Sequence, residues 1–242
     1  PNIYAYIARF LRDSNPSQLN KTKLKNILNI LLEKNDIMHK NLFKVFTFLC
    51  REEIISNLKK IESDLSKIEL LNNDKLFINS LKKITFMDSS LEELLMKLRK
   101  KLCYKITKIK EEINSSKLEF IIALAGQCFL NEYIYSVSEE ENKCINKIIN
   151  ECRDGKLNET NISILSCYLP LHTLLDQIPS LKTFNSSNKS FAELMILQIS
   201  EPLKEIELST KIKRLGSIDN NISQKVKNQY ENNPYPRWRY GD

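Results

Sequence analysis

Glycine and proline are scarce in this chain, at 4 and 7 of 242 residues. So few turn formers exclude collagen-like or linker-rich material and cannot supply the many tight turns of a β-sandwich or barrel. Histidine is scarcer still, with only His39 and His172. A multi-histidine metal centre is therefore excluded, and imidazole acid–base chemistry is confined to one of two residues. Gly-rich phosphate loops, Gly-x-Ser-x-Gly elbows and His-Glu-x-x-His helices are all missing. The six cysteines, at 50, 103, 128, 144, 152 and 167, form no Cys-x-x-Cys pair and read as buried thiols in a reducing compartment. The most apolar run, 120–130, is broken by Gln127 and is far short of the ~20 residues that cross a bilayer. Without a signal-peptide pattern at the start, the location reads as cytoplasmic and no membrane partner is expected.

What is present is helical periodicity. Apolar residues make up 42% of the chain, enough for an ordered core without disulfides or metal. No proline interrupts the interval from Pro16 to Pro170, which leaves room for several unbroken helices. Four Ser-x-x-Glu strings, Ser90–Glu93, Ser116–Glu119, Ser138–Glu141 and Ser190–Glu193, read as capping boxes at helix starts. One stripe, Leu91, Leu94, Leu95, Leu98, Leu102, Ile106 and Ile109, predicts a helix over 91–112. The run 117–136 is apolar nearly all round, which predicts a central helix with a close neighbour at Gly126. A third strong helix spans 139–153, stopped by Gly155. Further helices are predicted at 3–12, 17–34, 39–60, 74–83, 159–169, 171–177, 191–200, 202–213 and 221–231, with Pro170 and Pro202 each ending the helix before it. Polar stretches near 184–189 and 214–221 read as loops. The expected fold is all-α, an irregular bundle of about nine to eleven helices closed by an extended Pro/aromatic strip. The division is a helical domain over 1–220, with unplaced helices to 89 and a core from 90, followed by a helix and linker strip over 221–242.

The net charge is +7, carried mostly by lysine. Lys97, Lys100, Lys101, Lys105 and Lys108 share one helix face, which either follows a phosphate backbone or is simply solvated. Glu139, Glu140 and Glu141 open a helix and complement its dipole. Cys167 and His172 straddle Pro170, and read as a buried thiol and a partly exposed imidazole rather than a nucleophilic pair.

The tail Gln229-Tyr-Glu-Asn-Asn233-Pro234-Tyr235-Pro236-Arg237-Trp238-Arg-Tyr240 holds the single tryptophan. Its two prolines force Asn233 and Tyr235 into extended backbone, and Tyr235 and Trp238 stand beside Arg237. Such a strip can dock on another domain, stack on an aromatic ligand, or fasten to its own domain. The string Asn-Pro-Tyr-Pro-Arg-Trp at 233–238, with Val226-Lys-Asn-Gln-Tyr-Glu before it, resembles a segment of bacterial tetratricopeptide-linked class I S-adenosylmethionine-dependent methyltransferases. The run 127–133 (QCFLNEY), the run 167–172 (CYLPLH) and the run 201–205 (EPLKE) are similar to strings upstream of the catalytic domain in that family.

The resemblance, over roughly 90–240, implies a helical accessory domain that binds substrate or partner in a longer parent protein. In that family a Gly-rich loop holding the cofactor follows the tryptophan; here Gly241-Asp242 comes instead. S-adenosylmethionine and methyl transfer are therefore expected of the parent, with no cofactor, catalytic residue or metal in these residues. The strip Asn233, Pro234, Tyr235, Pro236, Arg237 and Trp238 is the expected docking or ligand element, facing a downstream methyltransferase domain. Asn131, Glu132, Tyr133 and His172, polar positions inside family-like strings, are secondary binding candidates, and a protein substrate is an expected partner. The alternative is a stand-alone protein-interaction or nucleic-acid-binding module using the basic 97–110 face.

Overall fold

Where a helix begins is set by Asx side chains more often than by serine. The computed structural model describes residues 2–72, 75–110, 113–211 and 221–232. Within them α1 (Ile3–Asp13) is capped by Asn2, α2 (Lys21–Leu32) by Asn20, α6 (Ser89–Tyr104) by Asp88, α7 (Ser115–Leu130) by Asn114, α9 (Glu159–Leu165) by Asn158 and α10 (Lys189–Met195) by Asn188. Each carboxylate or amide oxygen accepts from first-turn N–H groups that would otherwise lack partners. Of the four serine boxes, only Ser138 caps a helix, α8 (Glu139–Arg153), with the reciprocal Glu141 bond complete. Ser90, Ser116 and Ser190 sit inside the first turn, two residues after the residue that caps. The sequence expectation erred there because an Asx two residues before each serine caps the helix first, which starts it two residues earlier.

The remaining helices are α3 (Phe43–Ser63), the short α4 (Glu69–Asn72), α5 (Lys75–Lys83), α11 (Glu201–Lys211) and α12 (Asn221–Asn232). Single 3-10 turns link several of them, and no strand occurs among the described residues. The molecule is all-α, as the periodicity requires.

Helix α7 forms the axis. Every residue from Phe120 to Cys128 is buried, and α5, α9, α10 and α4 pack around it. Gly126 is the point of closest approach: a Cβ there would lie 3.3 Å from the Lys82 Cα of α5. Helix α6 lies between α3 and α8. Its N-cap Asp88 also receives Arg51 Nε of α3 at 2.5 Å, which holds the Asp88 carboxyl below its usual range.

Several helix ends depart from expectation. Helix α7 stops at Leu130 rather than 136, because a left-handed corner closes it. The helix entered at Lys189 does not stop before Pro202. It continues through a π-turn (Ile196–Ser200) straight into α11. Proline lacks the N–H that an α-turn would use, and a widened turn just ahead of it absorbs the misfit without breaking the rod. Helix α9 ends at Leu165, and turns carry the chain to Pro170. The expected helix 171–177 is a 3-10 turn (Leu171–Leu174). Gln198, in the π-turn, is fully buried, donating to Ser166 O at 3.1 Å and accepting from Leu171 N at 3.4 Å.

Candidate functional site

The corner after α7 is where polar candidates meet the surface. Asn131 caps the helix, the Tyr133 N–H donates to Cys128 O at 2.9 Å, and the Glu132 N–H donates to Phe129 O at 3.2 Å. This is a Schellman closure, in which the residue after the cap adopts left-handed backbone and is usually glycine. Here that residue is Glu132, at φ 58°, and Tyr133 follows at the same value. Side chains with a Cβ occupy that region at a cost of about 1–2 kcal/mol each. The same closure at the end of α8 uses Gly155, at φ 87°. The Tyr133 ring stands edge-on to Phe129, with centroids 6.4 Å apart.

This corner, the loop before α6 and the first turn of α6 enclose an open cleft of about 490 Å³, lined by Thr85, Phe86, Glu92, Leu130, Asn131, Glu132 and Ile134. Both polar atoms of the Asn131 amide are shielded from water. Neighbouring Tyr135 is 7% exposed, and its hydroxyl lies against the Asn131 side chain. Burial pushes that phenol above its ordinary pKa. Glu92 is also shifted upward, by burial first and then by the Asp88 charge.

A second cleft, of about 500 Å³, lies over α6 and α8. Glu141, in its lining, belongs to a buried ionic knot that the sequence did not announce. Arg99 is 1% exposed and donates to Ser136 O at 2.7 Å; it stands 3.5 Å from Glu141 Oε1 and 4.2 Å above the Tyr168 ring. The Tyr168 hydroxyl donates to Glu141 at 2.9 Å. Burial would raise the Glu141 pKa, but the Ser138 N–H and hydroxyl, the Tyr168 hydroxyl and the Arg99 charge together hold it below the ordinary value. Burial raises Tyr168. These residues hold α6, α8 and the chain after α9 together; in sequence they looked like parts of a basic run, an acidic run and an apolar string. The only signal was that Arg99 falls off the lysine face and onto the leucine side of α6.

The basic face is largely occupied. Lys97 pairs with Glu93 at 2.9 Å and Glu62 at 3.9 Å, Lys100 pairs with Glu140 at 3.4 Å, and Lys101 donates to the Glu62 and Ser63 carbonyls. All six cysteines are buried and none forms a disulfide, with Cys103 pushed up to about 12 and Cys152 to about 11 by burial. Cys167 donates to Ser163 O at 3.3 Å, and burial raises its pKa well above the usual value. It has the environment of a core thiol, not of a nucleophile. His172 lies on the separate 3-10 turn after Pro170 and lines neither cleft; its Nδ1 is buried without a partner. The structure therefore brings Asn131 and Glu132 into one cleft with Tyr133 beside them, and leaves His172 apart. The strip Asn233, Pro234, Tyr235, Pro236, Arg237 and Trp238 lies outside the described residues.

Among the described residues no group of three or more His, Cys, Asp or Glu could hold a metal, and no helix is long and apolar enough to cross a membrane. Of the described glycines, Gly126 packs against Lys82 and Gly155 caps α8. Neither lines either of these two clefts. Comparison with protein-family models, with curated proteins and with solved structures returned no match.

Proposed function

We propose that this chain is a helical recognition module of an S-adenosylmethionine-dependent methyltransferase, binding substrate or partner while a separate domain carries out the chemistry. One observation carries the recognition role. The family-like string 127–133 buries its first half in the α7 axis, while Asn131 and Glu132 open onto a cleft, on a backbone held in a costly conformation. A string needed only for packing has no use for an exposed glutamate on left-handed backbone. The methyltransferase context rests on the resemblance of 233–238 and the strings upstream of it. The strip then docks on the catalytic domain, with Trp238 as anchor and Arg237 stacking or pairing with a carboxylate.

Two measurements test this reading. Calorimetric titration of the chain with S-adenosylmethionine should show no binding, and a micromolar affinity would overturn the division of labour. Trp238→Ala should leave the helical circular dichroism and melting temperature unchanged. It should also weaken association with the downstream catalytic fragment by about tenfold or more, as expected for an aromatic anchor. Unchanged association removes the docking role. The nucleic-acid alternative has less support, because lysines 97, 100 and 101 are already engaged by carboxylates and carbonyls. Binding through that face would have to show a steep salt dependence.

A further inference from the structure

We infer that Cys103 and Cys144 are a redox modification site, a thiol pair that a peroxide entering the cleft over α6 and α8 converts into a disulfide. Their placement follows from the register of the two helices. Arg99 of α6 meets Glu141 of α8 at 3.5 Å, and Lys147 of α8 donates to Thr107 O, in the π-turn that prolongs α6, at 2.7 Å. Cys103 lies four residues after Arg99 and four before Thr107, and Cys144 three after Glu141 and three before Lys147. Steps of three and four keep to one helix face, so the two thiols form the middle rung between two anchored ones. The Cys103 thiol accordingly lies against that of Cys144.

A close pair is not reactive unless an oxidant can reach it, and access separates this pair from another. The thiols of Cys128 and Cys167 also lie against each other, yet neither residue lines either cleft. Cys103 and Cys144 both line the second cleft, whose volume of about 500 Å³ leaves ample room for a peroxide. Cys144 is 2% exposed and Cys103 not at all, and burial pushes the Cys103 thiol up to about 12, so Cys144 reacts first. Its sulfur attacks one peroxide oxygen, the O–O bond breaks, and the departing hydroxide takes the thiol proton to leave as water. The Cys103 sulfur then attacks the sulfur of the resulting sulfenic acid; the S–O bond breaks, and a second hydroxide leaves with the Cys103 proton. Two thiols together give up two electrons, and one peroxide is reduced to two waters. The new bond ties the end of α6 to α8 one turn from the Arg99–Glu141 contact. In a reducing compartment such a disulfide is transient, as redox-sensing ones are.

The test is peptide mapping by mass spectrometry of the 242-residue chain, alkylated without reductant after exposure to hydrogen peroxide. A Cys103–Cys144 cross-link should form at least about tenfold faster than one between Cys128 and Cys167, the pair that no cleft reaches. A thiol reductant should return both residues to the free state. Cys103→Ser should leave Cys144 as a sulfenic acid that dimedone labels, whereas Cys144→Ser should leave Cys103 reduced. The cross-linked chain should melt about 5 °C or more above the reduced one, as for a bond that joins helices already in contact. Cys103 and Cys144 still free in millimolar peroxide, equal rates for the two pairs, dimedone labelling of Cys103 in Cys144→Ser, or a melting temperature that falls on oxidation would each overturn the inference. The wild-type map and melt decide the matter if either serine variant fails to fold.

Discussion

Two residues that end helices in the same way show what the α7 corner gives up. Gly155 closes α8 with no steric penalty, while Glu132 closes α7 in the same hand of backbone with a full side chain. If Glu132 is there for binding, glycine should suit the fold better. Glu132→Gly is expected to leave stability unchanged or to raise it by up to about 1 kcal/mol, the left-handed penalty offset by the extra freedom of glycine in the unfolded chain. Urea denaturation measures this, and a loss greater than about 1 kcal/mol would show that the Glu132 side chain holds the corner together. Polarity at this corner was legible in the sequence from the Asn-Glu-Tyr run. Its conformation was not, because no glycine marks the turn and the apolar pattern continues past it to Ile134 and Tyr135.

At the scale of the helix, position was legible and the chemistry of the first turn was not. The expected starts at 3, 139, 159 and 221 coincide with the observed ones, since amphipathic period and polar punctuation agree there. At α6, α7 and α10 the helix starts two residues before the expected position, because an Asx residue ahead of the serine takes the cap. The difference is measurable. Asp88→Ala and Asn114→Ala should each cost about 1 kcal/mol, and Ser138→Ala a similar amount, while Ser90→Ala and Ser116→Ala should stay within about 0.5 kcal/mol. Asp88→Ala should be the most damaging of these, since it also abandons Arg51. Thermal melts of the five variants check this ordering. The π-turn ahead of Pro202 was beyond any periodic reading, because one extra residue per turn leaves the buried stripe Phe191, Leu194, Gln198 and Ile199 almost in phase.

For the molecule as a whole, cohesion depends on the buried knot of Arg99, Glu141 and Tyr168. Arg99→Met leaves Glu141 and Tyr168 without their cation, and should destabilise the protein by about 3–5 kcal/mol. The acid dependence has a definite sign. The Glu141 carboxyl titrates lower in the folded chain than in the unfolded one. Its stabilisation is therefore present above the ordinary carboxylate range and is lost as pH falls through that range toward the folded value. Denaturant melts from pH 7 to pH 3 should show stability falling in acid, with a smaller slope in Glu141→Gln. An unchanged slope would place the acid sensitivity elsewhere. The sequence could not reveal this knot, because its members lie 27 to 69 residues apart and each satisfies a local pattern of its own.

From 204 to 211 the chain offers nothing to the interior. Every residue from 204 to 211 is solvent-facing, and the rod that carries them is continuous with one rooted deep in the bundle by Gln198. That rod acts as a rigid spar: it transmits orientation outward without lending packing energy. Residues 204–211 can therefore be exchanged without repacking the core, yet the face they present stays mechanically referenced to α7.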